Sequence, residues 1–420
     1  MFHIAIIGSG PAGCYLVDQL LRVKPDASIS VLEELPVPFG LIRYGVAPDH
    51  QPTKAIARLF DRILARDNVG FFGNVEVGRD IRLVELMNLY DAVVLATGAP
   101  RDRRLGIPGE ELPGVVGSGS FVAWYNSHPH AHAPAVGDVR SAVIIGNGNV
   151  AIDVARILAK GPEEVAGSDL SPAVSSWLAS QPLQTVHLVG RRGAADAKFT
   201  DHELAELGTL KRALPVVADP ASLTGETAVV KTLHTFAEAA QRETAVTINF
   251  HFNLTPAAFV GETQLHAVRF STPAGASVEI PAQLAVTSIG YESVAICSVT
   301  PVNGFFANQD GKIAERLYAV GWARRGPTGT IPTNRTEAQQ LAQKIAQEIE
   351  DGHRPGADGL LGLLQERTVR WVDYAGWRRI DTAELSAASA ERSRTKLGTV
   401  EEMLEVAMPG ELKSASTSVL

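Results

Sequence analysis

Apolar runs of four to six residues recur along this chain, several of them closed by a glycine-rich turn and followed by a helix-period stretch. The first, His3 to Ile7, leads into Gly8-Ser9-Gly10-Pro11-Ala12-Gly13 and then CYLVDQLL, whose spacing predicts a helix. A second run, SISVLE, ends at Glu33. Far downstream the pattern repeats: Ala142 to Ile145, then Gly146-Asn147-Gly148-Asn149-Val150-Ala151, then another helix. Its next strand, TVHLVG at 185–190, comes late, after a Ser-, Pro- and Gly-rich insert at about 161–183. YDAVVLATG, AVTINFHF, LHAVRFST, AQLAVTSIG and RLYAVG read as further strands. TKAIARLFDRILAR (53–66) reads as one helix. In the stretch closing at 349, Ala338, Leu341, Ala342, Ile345 and Ile349 fall on one helical face. Continuous apolar strands alternating with helices predict α/β domains with parallel sheets.

Strand, glycine turn and helix together make a dinucleotide site. Gly8 permits the tight turn, Gly10 lets the backbone approach a pyrophosphate, and Gly13 lets helix and strand pack closely. The phosphates then sit at a helix N-terminus, where free N–H groups and the dipole favour anions. Glu33, at the next strand end, is placed to accept from a ribose hydroxyl. The second motif carries Ala151 at the third glycine position, a permitted variant. Where the first has Glu33, the second has Arg191 and Arg192. A carboxylate there suits a bare ribose; arginines suit a 2′-phosphate, through charge-assisted and bidentate bonds. The first site therefore reads as FAD and the second as NADPH.

The expected architecture is two Rossmann-like domains, the NADP domain inserted into the FAD domain. The FAD domain takes 1–105 and 317–420, the latter with a C-terminal extension, and the NADP domain takes 106–316. Ligands in such sheets bind beyond the carboxyl ends of the strands, so two facing domains can bring nicotinamide against flavin. The last residues, KSASTSVL, are expected to be disordered.

Composition narrows the class. The chain has 420 residues, 45% hydrophobic and 20% charged, with net charge −8. That acidic balance argues against a nucleic-acid partner. The two cysteines, Cys14 and Cys297, form no CxxC pair, disulfide framework or zinc spacing. No apolar run approaches the roughly 18 residues that span a bilayer. No leader pattern precedes the first strand, so a cytoplasmic protein without membrane insertion is expected.

Four stretches, FGLIRYGVAPDHQPTK (39–54), SFVAWYNSHP (120–129), VGRRGAADAKFTDHELAEL (189–207) and GWARRGPTGTI (321–331), together resemble the adrenodoxin reductase-like family of ferredoxin–NADP(+) reductases. The resemblance covers most of the chain. It implies a non-covalent FAD contacted by Gly10, Ala12, Glu33, Leu41, Trp322 and the backbone around Gly329 and Ile331. It implies NADPH held by Asn147 and Val150 at the pyrophosphate and by Arg191 and Arg192 at the 2′-phosphate. Glu203 matches a family residue near the nicotinamide, and His50 and Asp153 match a polar pair near the flavin. These three are the catalytic candidates, His50 and Asp153 as proton-handling groups. Gly8, Pro11, Gly13, Gly146, Gly148 and Asn149 complete the cofactor-binding set.

The implied activity is an NADPH:ferredoxin oxidoreductase that passes electrons singly from flavin to a ferredoxin-type iron–sulfur protein, or to a flavodoxin. Two other readings stay open: a redox sensor or scaffold with little turnover, and a flavin monooxygenase. A disulfide reductase is opposed by the missing CxxC. A glutamate-synthase-type subunit is opposed by the missing Cys-rich segment. His128, His130 and His132 read as an exposed loop, not a metal site, so no metal is expected. Two departures from the family stand out. The segment 213–262, where adrenodoxin reductase carries a basic cluster, has only Lys231 and Arg242 against five acids. Either docking uses other arginines, such as Arg101, Arg103 and Arg104, or the partner is not a strongly acidic ferredoxin. Pro332 stands where the family more often has Gly, a change tolerated at a helix start.

Overall fold

The computed structural model describes residues 2–239, 242–350, 352 and 354–409. The tail KSASTSVL lies outside the described residues. The chain divides into two compact units: Met1–Val46, His50–Arg101 and Tyr291–Leu420 form the first, and Ala47–Asp49 and Asp102–Gly290 the second.

The first unit is built on a six-stranded sheet in the order Lys312–Ala314, Leu317–Ala319, Ala92–Leu95, His3–Ile7, Ser28–Glu33, Val69–Gly73. Neighbours are parallel except for Lys312–Ala314, which runs antiparallel on the edge. Both faces are covered, which is why the inner strands are mostly apolar. Ile4, Ile6, Ile29, Val31 and Val94 face one core, and Ala5, Ile7, Leu32, Val93 and Leu95 the other. The helix Pro11–Val23 packs along Ile331–Glu348, which buries Ala338, Leu341, Ala342 and Ile345. The stretch expected as one helix over 53–66 is two, Gln51–Lys54 and Ala57–Leu64. The Ile56 and Leu59 N–H groups reach back three residues instead of four, to Thr53 and Ile56 carbonyls, tightening the chain into a turn. Helices Gly356–Glu366, Tyr374–Ser386 and Val400–Ala407 belong to this unit, and Trp377, Ile380, Met403 and Leu404 share a core with Phe39 and Phe60.

The second unit holds an all-parallel sheet in the order Val115–Gly117, Leu284–Thr287, Ser141–Ile145, Thr185–Val189, Val246–His251, Ala213–Val217. An antiparallel sheet, Thr255–Val260, Ala267–Ser271 and Ser277–Pro281, places Phe259, Val268, Phe270 and Ile280 in a core with Val143, Ile145 and Val189. The insert at 161–183 contains a helix, Pro172–Ser180, whose Ser171 hydroxyl accepts from the Val174 N–H at 3.2 Å.

The return to the first unit falls at Tyr291, not at 317 as the strand pattern had suggested. Residues 291–316 carry no long periodic run, but their hydrogen bonds go to the first unit. Ser293 Oγ donates to the Gly98 carbonyl at 2.8 Å, and Asn308 Nδ2 to the Arg324 carbonyl at 3.0 Å.

Candidate functional site

In the first unit, the helix Pro11–Val23 begins at Gly10 with Pro11 in its first turn and no side-chain cap. Its first N–H groups are therefore left for an outside acceptor. A Cβ on Gly10 would meet nothing within 4 Å, whereas one on Gly13 would lie 2.1 Å from the Gly8 carbonyl oxygen. The loop is open on its outer side and glycine-dependent on its inner side. Such a cradle fits a dinucleotide pyrophosphate.

The sequence reading missed Ser9, which is fully buried. Its N–H and hydroxyl both donate to Glu33 Oε2, at 3.0 and 2.6 Å. Burial, reinforced by the Glu34 charge, raises the Glu33 carboxyl to about 7. The Phe39 N–H donates to the Ser9 carbonyl at 3.2 Å, which brings the turn carrying Leu41 to the loop. Leu41 is 48% exposed.

Gly321 closes the other side. Its φ is 70°, and a Cβ there would stand 2.5 Å from Ala12 Cβ. Trp322 follows, stacked on Tyr291 at 5.9 Å, its indole N–H donating to the Thr328 carbonyl at 3.1 Å. The turn from 321 to 330 is held by buried Glu337, which pairs with Arg324 and Arg325; Arg325 also donates to Asn334 Oδ1 at 3.0 Å. Burial pushes the Glu337 carboxyl up even against those two arginines. Gly329 and Ile331 lead into the helix Ile331–Glu348, with Pro332 in its first turn. His50, in the same unit, precedes the short helix Gln51–Lys54 and is half-buried.

The second unit repeats the cradle. The helix Asn149–Ala159 starts at Gly148 without a side-chain cap, and a Cβ on Gly148 would meet nothing within 4 Å. The Gly146 N–H donates to the Val189 carbonyl at 2.9 Å. Asn147 accepts on its carbonyl from the Lys198 and Phe199 N–H groups at 2.6 and 3.0 Å. Its side-chain Oδ1 is buried with no hydrogen-bond partner among the described residues. Asn149 Oδ1 accepts from the Thr200 N–H at 2.8 Å. Val150 packs against the core behind the loop. Arg191 and Arg192 follow the strand Thr185–Val189, are exposed, and form no salt bridge among the described residues.

Asp153 lies one turn into the helix Asn149–Ala159, in a cluster the sequence did not reveal. Arg156, with its side chain 2% exposed, donates to Asp153 and to Asp49, and its Nε lies 3.5 Å from Glu206. Lys160 Nζ bonds Asp49 at 2.6 Å. Burial would lower the Arg156 pKa, but the Asp49 and Asp153 carboxylates outweigh it and raise it, so the guanidinium stays charged. Glu203 sits in the first turn of the helix Asp201–Leu207, its N–H donating to the Thr200 hydroxyl at 3.3 Å. The catalytic candidates are thus divided, His50 in the first unit and Asp153 and Glu203 in the second. Of the suggested docking arginines, Arg101 lies 3.6 Å from Glu292, and Arg104 is paired with Glu110 and Glu111.

The cysteines do not form a redox pair. Cys14 is buried, its thiol donating to the Ser9 carbonyl at 3.1 Å, and burial pushes its pKa up; Cys297 is exposed. Among the described residues no helix is long and apolar enough to cross a membrane.

Two sheets, parallel but for one edge strand and each with a glycine cradle beyond its strand ends, define a two-dinucleotide oxidoreductase fold. The family model for pyridine nucleotide-disulphide oxidoreductases matches residues 2–206. Cindoxin reductase of Citrobacter braakii is 40% identical, over 96% of this chain and 91% of that protein. The mitochondrial NADPH:adrenodoxin oxidoreductase of Arabidopsis thaliana is 34% identical, over 96% and 95%. The structure of Mycobacterium tuberculosis FprA in complex with NADPH superposes with a TM-score of 0.92 at 35% identity, covering 97% of this chain and 99% of that one. The chain belongs to the adrenodoxin reductase-like family of ferredoxin–NADP(+) reductases.

Proposed function

We propose that this chain is an FAD-dependent NADPH:ferredoxin oxidoreductase. One observation carries the reading: its two glycine cradles end in opposite chemistry, a half-buried carboxylate at Glu33 and an exposed arginine pair at Arg191 and Arg192. With both cofactors bound, NADPH supplies a hydride and the flavin accepts it and releases electrons one at a time.

The residues then have these roles. Gly8, Gly10, Pro11, Ala12 and Gly13 offer backbone N–H groups and close approach to the FAD pyrophosphate. Glu33 accepts from the ribose. Leu41, Trp322, Gly329 and Ile331 bind the remainder of the cofactor. Gly146, Asn147, Gly148, Asn149 and Val150 form the NADP pyrophosphate cradle, and Arg191 and Arg192 take the 2′-phosphate. Glu203 is assigned to the nicotinamide end. His50 is assigned to proton handling, and the Arg156 pairing supports an orienting role for Asp153. Hydride transfer needs reacting atoms roughly 3–3.5 Å apart, so placement is the protein's main contribution.

The electron acceptor in this reading is a ferredoxin-type iron–sulfur protein, or a flavodoxin, met in the cytoplasm. The family model's disulphide activity is disfavoured by the buried Cys14 and distant Cys297. The test is NADPH-driven cytochrome c reduction with and without added ferredoxin. A rate that rises with ferredoxin and saturates supports the reading. NADPH consumption that never reaches the ferredoxin would leave the sensor or monooxygenase reading in its place.

A further inference from the structure

The first glycine loop has a second wall, and the wall is strained. Phe39 has φ 86°, a region disfavoured for an aromatic residue, and Gly40 follows at 46°. These angles turn the Phe39 N–H toward the Ser9 carbonyl and hydroxyl, at 3.2 and 3.3 Å. They also bring Gly40 against the loop, so that a Cβ there would stand 3.2 Å from Gly10 Cα. The exposed Leu41 comes next, and then Ile42, Arg43 and Tyr44 are buried.

What holds this turn comes from the far end of the chain. Trp377, on the helix Tyr374–Ser386, meets Phe39 edge-on at 5.5 Å. The Arg43 guanidinium lies 5.7 Å from the Trp377 ring and donates to Glu384, with side-chain exposures of 5% and 0%. Glu384 also accepts from Arg394 at 2.8 Å and from the Leu397 N–H at 3.0 Å. Lys396 Nζ, itself buried, donates to the Arg43 carbonyl at 3.1 Å. Burial alone would raise the Glu384 pKa, yet Arg43 and Arg394 hold it below the usual carboxylate range. One ionised carboxylate thus joins the turn, the helix and the segment 394–397. Loss of its charge leaves Arg43 buried and uncompensated, a strongly unfavourable state.

We infer that the segment 377–397 is a clamp that presses the turn Phe39–Tyr44 onto the first glycine loop, and that Glu384 is a positioning residue for the flavin. The inference rests on the FAD reading above. Glu384 acts at a remove from the cofactor; it sets the geometry of the residues that touch it.

The test compares wild type, Glu384→Gln and Glu384→Asp, with FAD affinity from flavin fluorescence quenching and the visible circular dichroism of bound flavin at saturating FAD. Glu384→Gln is expected to weaken FAD by about tenfold or more and to change the dichroism of the flavin that does bind. Glu384→Asp, which keeps the charge, should restore the wild-type dichroism in large part. NADP(+) affinity should stay unchanged in all three. A folded Glu384→Gln with wild-type FAD affinity and dichroism would overturn the clamp. If Glu384→Gln does not fold, Lys396→Met decides, because it removes the bond to the Arg43 carbonyl and leaves Glu384 in place; a wild-type flavin signature there would also overturn it. Wild-type protein that takes up no FAD at all would defeat the functional reading instead.

Discussion

Ser9 and Glu33 are bonded twice through one oxygen: the Ser9 N–H and hydroxyl both donate to Glu33 Oε2, at 3.0 and 2.6 Å. The carboxylate that fixes the glycine loop is also the one proposed above to accept from the ribose. Its carboxyl is raised to about 7, chiefly by burial. For a raised carboxyl, the stability contribution is complete below the unfolded value and is lost as pH rises through 7. A ribose donor favours the charged form, so FAD should offset that loss. FAD affinity is therefore expected to increase between about pH 6 and about pH 8. Glu33→Gln should flatten the profile and weaken binding roughly ten- to a hundredfold, the equivalent of a charged hydrogen bond of about 1.5–3 kcal/mol. Fluorescence titrations at each pH check this, and a flat wild-type profile would count against it.

The exposed arginines make a nucleotide-specific prediction. Replacing Arg191 and Arg192 together with Ala should raise the NADPH KM by roughly ten- to a hundredfold and leave NADH almost unchanged, because only the 2′-phosphate is lost as a partner. Steady-state kinetics with both nucleotides measure it. Equal losses with NADPH and NADH would sink the 2′-phosphate assignment.

Asn149 links the cradle to the chain beyond the arginines. Its Oδ1 accepts the Thr200 N–H at 2.8 Å, beside the bonds from Lys198 and Phe199 to the Asn147 carbonyl. Asn149→Ala should loosen residues 198–200 and raise the NADPH KM by about tenfold, the cost of a lost hydrogen bond of about 1 kcal/mol and a less ordered site. FAD content, read from the ratio of flavin to protein absorbance, should not change. Loss of FAD would show that the link has another role.

Gly321→Ala tests the closure of the FAD cradle. At φ 70° any side chain is strained, and the added Cβ would stand 2.5 Å from Ala12 Cβ. The expected effect is a loss of about 1–3 kcal/mol or more of stability, with FAD lost on purification. Thermal unfolding with and without excess FAD measures both; a holoprotein of wild-type Tm would contradict the contact.

Much of this was legible in the sequence. The two strand–glycine–helix units announce themselves because period and spacing carry them, and the same spacing puts Glu33 and the arginine pair at the ends of the strands that follow. Ser9 did not, since it is simply the residue between two glycines, and its value lies in a contact to Glu33 at the end of the neighbouring strand. Glu337, Glu384 and Arg156 were equally silent: each sits in a helix pattern as one more polar residue, and only tertiary packing makes it a buried charge with partners. The boundary at Tyr291 was missed because residues 291–316 have hydrogen bonds to the first unit but no periodicity. The break near Ile56 was missed because a tightened turn leaves the apolar spacing of a helix almost intact.

If one chain holds a flavin and draws electrons specifically from NADPH, the two nicotinamide nucleotides must reduce that flavin at different rates. The direct measurement is anaerobic flavin reduction by NADPH and by NADH, followed by the bleaching of flavin absorbance in a stopped-flow instrument. Fast bleaching is expected with NADPH and slow bleaching with NADH, with the difference erased when Arg191 and Arg192 are replaced. Equal rates in the wild type, or no bleaching with either nucleotide, would contradict it.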